Sequence, residues 1–175
     1  MLNLTDLSLE VRLLMIEEIE SDCSREVNYV SKRLTEQGMK IFPELLAEAA
    51  KNYDASWLAR ELNQRSLIKT YETRRKPNGG LTKVKVPVTA AETLSEREFN
   101  LYFIRSLCKY AIKNDIDMVE VYRAKQVSTP RSSSTQLLGS KFDPDELLQH
   151  IQSDGLHAVL PQGPNSGLSI KLAPA

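Results

Sequence analysis

Three consecutive serines beside an arginine are the residues whose types most suggest nucleophilic or anion-binding chemistry. Ser132–Ser134 directly follow Arg131. A serine nucleophile needs a nearby histidine base, and one common family of hydrolases surrounds it with a Gly-x-Ser-x-Gly turn. That turn is absent, and neither His150 nor His157 has a sequence reason to lie near these serines. We therefore expect a solvated loop here and not a catalytic site.

Carboxylates at the start of a predicted strand are the second set that could do chemistry. Asp115, Asp117 and Glu120 have the arrangement seen around nuclease metal ions, but the sequence places no second acidic group on a neighbouring strand. With 2 histidines and 2 cysteines the chain also lacks a cluster of softer ligands. Gly79-Gly80 lacks the pattern of a phosphate-binding loop. We expect no enzyme activity, no cofactor, no metal and no small-molecule substrate.

The overall composition is that of a soluble globular protein. The chain has 175 residues, 41% hydrophobic and 26% charged, which excludes a disordered chain and favours one domain. No apolar run approaches the ~20 residues that cross a bilayer, and no signal-peptide pattern opens the chain. We therefore expect a cytoplasmic location and no membrane contact.

A heptad stripe runs through the first part of the chain. It consists of Leu9, Leu13, Ile16, Cys23, Val27, Val30 and Leu34. The stretch from Thr5 to Gln37 contains no Pro or Gly, so the stripe predicts one helix of about 30 residues, closed by Gly38. Such a helix either lies on its own core or packs against another subunit.

Further helices are indicated by caps and by apolar spacing. They are expected at 43–52, at 55–64 with Asp54 as N-cap, from capping boxes at Thr93 and Ser95 to about Lys113, and after Asp143-Pro144. On the face of the fourth helix, Arg105 is expected to be a half-buried member of an ion pair.

The strongest strand signal is a hairpin at 67–87. Two β-prone runs flank Asn78-Gly79-Gly80, whose residue types supply the positive φ values of a tight turn. The run 117–127 also reads as a strand, and we expect it to pair onto the hairpin.

Residues 153–175 are apolar but interrupted by proline and glycine, which disfavour a helix. The apolar positions are Leu156, Val159, Leu160, Leu168, Ile170 and Leu172. Such a segment gains stability by adding a strand to a sheet edge, either a partner's or its own.

These elements predict an α+β fold. Residues 1–152 are expected to form a helix-dominated single domain with a long N-terminal helix and a small antiparallel sheet built on a β-hairpin. Residues 153–175 are expected to form an extended C-terminal docking tail.

Charge is balanced over the whole chain but not along it. Residues 1–54 carry 6 basic and 11 acidic side chains, whereas 60–85 carry 8 and 2. The basic side chains of 60–85 are Arg60, Arg65, Lys69, Arg74, Arg75, Lys76, Lys83 and Lys85. They predict an interface, either with the acidic region of a neighbouring subunit or with nucleic acid through a helix and a hairpin wing.

Two stretches, 86–112 and 121–151, resemble proteins encoded in the structural gene clusters of tailed bacteriophages and prophages. The residues that carry the resemblance are Phe99, Asn100, Tyr102, Arg105, Pro130, Arg131 and Gly139. The resemblance implies a virion or head-assembly component, such as a neck, connector or capsid-associated protein.

The expected function is therefore a non-enzymatic structural or assembly protein that acts through protein–protein contacts. Its partners would be further copies of itself and other virion proteins, in the host cytoplasm during assembly and then in the virion. The alternative is a nucleic-acid-binding regulator that uses the basic helix and hairpin.

Overall fold

A computed structural model of the chain describes residues 2–161 and 166–174, and within those ranges it is a single α+β domain. The helices are α1 (Leu9–Ser24), α2 (Glu36–Asn52), α3 (Ala55–Gln64), α4 (Ala90–Lys113), α5 (Ser132–Gln136), α6 (Pro144–Asp154) and α7 (Leu156–Val159). The strands are β1 (Tyr71–Arg75), β2 (Leu81–Lys85), β3 (Val119–Arg123), β4 (Lys141–Phe142) and β5 (Leu168–Leu172). The predicted fold class is confirmed. None of the described helices is both long and apolar enough to span a bilayer.

The central element is α4, which contacts α1, α3, α6 and β5. Phe99, Phe103 and Leu107 on α4 are at most 1% exposed. The helix begins at Ala90, before the predicted capping boxes, so Ser95 is fully buried inside it and does not mark its start. Burial of the additional first turn against the core outweighs the local capping signal.

The predicted long N-terminal helix is wrong, because the chain leaves the helix after Ser24. Glu26 has a positive φ of 57°, and the N–H groups of Glu26 and Val27 donate to the carbonyls of Cys23 and Asp22. This pair of hydrogen bonds is the Schellman pattern that ends many helices, formed here without the usual glycine.

The heptad stripe does not mark the buried face of α1. Leu9 and Leu13 are 73% and 53% exposed, whereas Val11, Met15 and Ile19 are at most 2% exposed. The helix therefore packs on its own domain with a different face and leaves the predicted seam in solvent.

The second helix starts earlier than predicted. Thr35 is the N-cap of α2, and its hydroxyl accepts a hydrogen bond from the N–H of Gly38. Gly38 therefore lies in the first turn of α2 and does not close α1. Pro43 is inside α2, where it has no N–H to donate to the preceding turn. The predicted end at Asn52 and the predicted range of α3 are confirmed.

The sheets differ from the predicted arrangement. β1 and β2 form the expected hairpin, with Tyr71 opposite Lys85 and Arg75 opposite Leu81. β3 does not join it, and lies instead at the centre of a second sheet in the order β4-β3-β5. Val119 and Val121 of β3 are fully buried, and they need an apolar neighbour that the exposed hairpin does not provide.

The C-terminal segment belongs to the domain and is not an extended docking tail. α6 continues through Asp154, so the predicted boundary at 152/153 falls inside a helix, and α7 follows it. β5 then pairs with β3 of the same chain. Leu156, Leu160, Leu168 and Ile170 lie in the core, with Val159 and Leu172 packed against it. Residues 162–165 and 175 of this segment lie outside the described residues.

Candidate functional site

The hairpin of β1 and β2 is the part of the structure that gathers the predicted interface residues. Five antiparallel residue pairs form its ladder. Gly79 and Gly80 close it with φ values of 84° and 79°, which residues with a side chain rarely adopt. The N–H of Lys76 donates to the carbonyl of Gly80 at 3.0 Å. The turn chemistry of the sequence thus fixes the register of the two strands.

Alternation along the strands gives the hairpin two different faces. Glu72, Thr82 and Val84 on one face are partly buried. We call the opposite side the outer face. It consists of Tyr71, Thr73, Arg75, Leu81, Lys83 and Lys85, all of which are exposed.

The partly buried face ties the hairpin to the segment before α2. Arg33 donates from Nε and Nη2 to the carboxylate of Glu72 at 2.7 and 3.2 Å, and Arg74 Nε donates to the same carboxylate at 2.7 Å. These hydrogen bonds lower the pKa of Glu72 to about 2. The N–H of Lys69 also donates to the carbonyl of Arg33 at 2.8 Å. The base of the hairpin is therefore held in a defined position.

The outer face is basic and has no acidic side chain. Lys83 Nζ lies 4.7 Å from the centre of the Tyr71 ring, a cation–π contact. Arg75, Lys83 and Lys85, with Lys76 at the turn, form no ion pair with any other described residue. These four cations therefore remain available to a partner.

The other predicted basic residues do not join this face. Arg60 lies on α3 and Arg65 is its C-cap, and Arg65 forms an ion pair with Glu61 one turn earlier. Lys69 donates to the carbonyl of Lys32 at 2.9 Å, and Arg74 is paired with Glu72 on the inner side. Four of the eight predicted residues are thus brought together, and four serve local structure or stand apart.

Tyr71 and Leu81 complete the outer face, and Leu81 was missed because apolar residues in a strand usually indicate burial. Tyr71 is 50% exposed and Leu81 71% exposed. The signal that could have found Leu81 is strict alternation, since it lies on the same face as Lys83 and Lys85 in the register set by the turn.

The residues that suggested nucleophilic chemistry lie in and around the short helix α5. Ser134 is buried, and its hydroxyl donates to that of Ser166 at 3.3 Å. Arg131 is exposed. No histidine is among the hydrogen-bond partners that the structure gives these serines.

The carboxylates considered for a metal do not converge. Asp115 lies in the turn after α4 with a φ of 53°, and Glu120 is paired with Lys171 at 3.2 Å. Over residues 2–161 and 166–174, no group of three or more histidine, cysteine or acidic side chains is placed to hold a metal ion.

Arg105 is the centre of a buried ionic cluster between α1 and α4, and its predicted ion pair is confirmed. It is 8% exposed and pairs with both Glu18 and Asp22. Tyr102 donates to Asp22 at 3.1 Å, and Lys109 pairs with Glu18. Burial opposes ionisation of Asp22, but the hydrogen bonds from Arg105, Tyr102 and Arg25 outweigh it and lower the pKa of Asp22. The cluster joins two core helices.

Comparison with protein-family models, with curated proteins and with solved structures finds no match for this chain. The phage resemblance therefore stays a prediction. The hairpin is the candidate site on its geometry and charge alone.

Proposed function

We propose that the protein is a non-enzymatic assembly protein that acts through protein–protein contacts, as a neck, connector or capsid-associated component of a tailed-phage virion would. The single observation that supports this most is the outer face of the hairpin. It presents three cations, with Lys76 at the adjoining turn as a fourth, none of which forms an ion pair with a described residue, beside exposed Tyr71 and Leu81. Such a face suits an acidic, partly apolar protein surface, because charge complementarity directs the encounter and buried aromatic area holds the complex.

A surface of that kind lies on α1 of the same chain. Leu9, Leu13, Glu17 and Glu20 recur at helical spacing and therefore share one side of the helix. All four are exposed, and within the described ranges neither glutamate forms an ion pair. We call this set the α1 stripe, and infer that the hairpin of one copy binds the α1 stripe of the next.

A contact between two different surfaces of identical chains is heterologous. Each copy then offers one free hairpin and one free α1 stripe, so assembly continues until a ring closes or a filament forms. Repeated assembly of this kind fits the virion role that the resemblance implies.

The proposal is tested by particle mass in solution after charge reversal on the hairpin. The variant Lys83→Glu/Lys85→Glu should weaken self-association by about tenfold or more, because rim charges of opposite sign become like charges. Lys113→Glu/Lys141→Glu is the matched control, since both lysines are exposed and lie off the hairpin. Equal particle mass for wild type and the hairpin variant at low salt would contradict the proposal.

Nucleic acid is the second candidate partner, favoured by Tyr71 beside Lys83 on an exposed β-ribbon. Four cations can neutralise about four phosphates, which predicts a slope of about −3.6 for log K against log salt. A mobility shift with duplex DNA measures this slope. A shift that Lys83→Glu/Lys85→Glu abolishes, with no self-association of the wild type, would favour this candidate.

A further inference from the structure

A cleft separate from the hairpin opens between the end of α1, the first half of α4 and the turn from α6 to α7. Its volume is about 450 Å³, within the range of small-molecule sites in proteins. Part of its wall is apolar and is formed by Leu101, Ile151 and Leu156. The remainder is polar and contains charged groups from all three elements.

Glu98 lines this cleft and is the least expected of its residues. It is only 2% exposed, yet its Oε1 accepts no hydrogen bond from any described residue. The nearest cation is Arg97, whose Nε lies 3.6 Å away. Buried polar atoms in native proteins nearly always have a partner. The fold therefore places an incompletely paired, buried carboxyl beside the cleft, with Oε1 itself closed to solvent, so Glu98 acts on the cleft through its charge.

The cations of the cleft are placed to receive an anion. Arg97 stacks on Tyr29 with its guanidinium carbon 4.5 Å from the ring centre, which fixes the plane of the group. Apart from this contact and the Glu98 ion pair, the described residues give Arg97 no partner. Arg25, whose side chain is 61% exposed, lines the same cleft and shares Asp22 with Arg105.

The acidic groups do not cancel these cations. The two carboxylates Glu18 and Asp22 are balanced by the two cations Arg105 and Lys109. Burial raises the pKa of Glu98 to about 7, against a smaller lowering by Arg97, so much of it is protonated near neutral pH. Burial and then Arg97 lower the pKa of His157, which is therefore uncharged there. The cleft keeps a net positive charge.

We propose that this cleft binds a small organic anion, with its anionic group on Arg97 and Arg25 and its apolar body against Leu101, Ile151 and Leu156. In its ionised form Glu98 repels the anion, and in its protonated form it does not. This ligand site does not depend on the assembly function.

The groups that face Glu98 come from every element around the cleft. Asp22 and Cys23 come from the last turn of α1, Arg25 from its C-cap, Tyr29 from the segment that follows, Arg97, Tyr102 and Arg105 from α4, and His157 from α7. Against the effect of burial, the hydrogen bonds and charge of Arg105 lower the pKa of Asp22, whereas burial lowers the pKa of His157 and raises those of Cys23 and Tyr102. Glu98, whose pKa burial raises to about 7, is the group among these that changes charge near neutrality.

The test uses hexanoate and hexyl phosphate as probes, followed by amide chemical shifts of the full-length ¹⁵N-labelled protein. Both anions should shift the amides of Arg97, Glu98 and His157 in a saturable way, and the tighter one identifies the headgroup as carboxylate or phosphate. Hexylammonium, which has the same chain and the opposite charge, should not bind. Hexanoate affinity should fall about tenfold as Glu98 ionises between about pH 6 and pH 8.

Variants separate binding from folding. Arg97→Gln should weaken hexanoate binding about tenfold through loss of a charge-assisted hydrogen bond, and Glu98→Gln should abolish the pH dependence. Gln152 is exposed and lines the cleft. Gln152→Glu therefore adds a negative charge there, which should weaken hexanoate binding without disturbing the fold. Lys113 is also on α4 but does not line the cleft, so Lys113→Gln should leave hexanoate binding unchanged.

Absence of shifts at about 50 mM probe, which excludes even very weak binding, would overturn the ligand site. Equal binding of hexylammonium, or unchanged affinity in both Arg97→Gln and Gln152→Glu, would also overturn it.

Discussion

Burial of Glu98 links the stability of the protein to pH. The pKa of Glu98 rises from 4.5 to about 7 on folding, so between these values the folded state keeps a proton that the unfolded state has released. The contribution of Glu98 to the free energy of unfolding is therefore full below about pH 4.5 and is lost as pH rises through about 7. The loss amounts to up to about 3 kcal/mol.

Glu98→Gln should remove this loss. We expect the variant to exceed the wild type in free energy of unfolding at about pH 8, and this advantage to shrink towards about pH 5. Urea unfolding at both pH values measures the difference, with Glu26→Gln at an exposed position as control. A difference that does not change with pH would show that Glu98 titrates normally in the fold.

Arg105 pairs with two buried carboxylates, so its removal should be strongly destabilising. Arg105→Met leaves Glu18 and Asp22, which are 3% and 6% exposed, without their main partner. We expect a loss of about 3–5 kcal/mol in free energy of unfolding. The control, Arg65→Met, breaks the more exposed ion pair with Glu61. Its free energy of unfolding should fall by only about 0.5 kcal/mol.

Chemical denaturation measures the free energy of unfolding of Arg105→Met and of Arg65→Met, each compared with the wild type. Further replacement of Glu18 and Asp22 by their amides in the Arg105→Met background should recover part of the lost stability, because no buried charge is then left. A loss below about 1 kcal/mol in Arg105→Met would contradict a buried cluster.

Residue types predicted some of these sites better than others. The cations of the hairpin could be placed because strand alternation and a glycine turn are local. The buried environment of Glu98 could not be predicted from residue types, since its burial depends on the end of α1 and on α6, both distant in sequence. Arg105 was placed in an ion pair from its helical face, but its partners come from a helix about 80 residues earlier.

At the scale of elements, α1 shows why apolar spacing misled. Its buried face carries Glu18 and Asp22 beside Met15 and Ile19, so the most regular apolar positions were not the buried ones. The buried charges are tolerated because Arg105 meets them from α4, a tertiary contact that periodicity does not report. Local signals with a definite mechanism, such as the Asp54 cap of α3 and the Asp143 cap of α6, were correct.

The C-terminal segment is an element of the core, and its removal should abolish the fold. Truncation after Ser153 deletes β5, exposes the paired edge of β3 and removes Leu160 and Ile170 from the core. Loss of several buried residues at about 2–5 kcal/mol each exceeds the usual stability of a domain.

The control is truncation after Leu172, which keeps all of β5. Circular dichroism and chemical denaturation compare the two truncated chains. A folded, cooperative chain ending at Ser153 would show that this segment is dispensable and would restore the view that it is a docking arm.

At the scale of the whole molecule, a neutral chain separates its charges in space. The acidic excess of the first 54 residues leaves Glu17 and Glu20 exposed on α1, and the basic excess of 60–85 leaves Lys83 and Lys85 exposed on the hairpin. The sequence predicted this separation because charge counts are local. It could not predict that the exposed charges adjoin exposed apolar residues, since that depends on which faces the core leaves free.

The most direct measurement is the particle mass of two mutually complementary variants, alone and mixed. Arg75→Glu/Lys83→Glu/Lys85→Glu makes the outer face acidic, because only Lys76 at the turn then remains cationic, and Glu17→Lys/Glu20→Lys makes the α1 stripe basic. Each variant alone then opposes like charges, whereas a mixture can alternate the two chains so that every contact again joins opposite charges. Head-to-tail assembly predicts small particles for each variant alone and large particles for the equimolar mixture at low salt. Large particles from either variant alone, or none from the mixture while the wild type assembles, would contradict it.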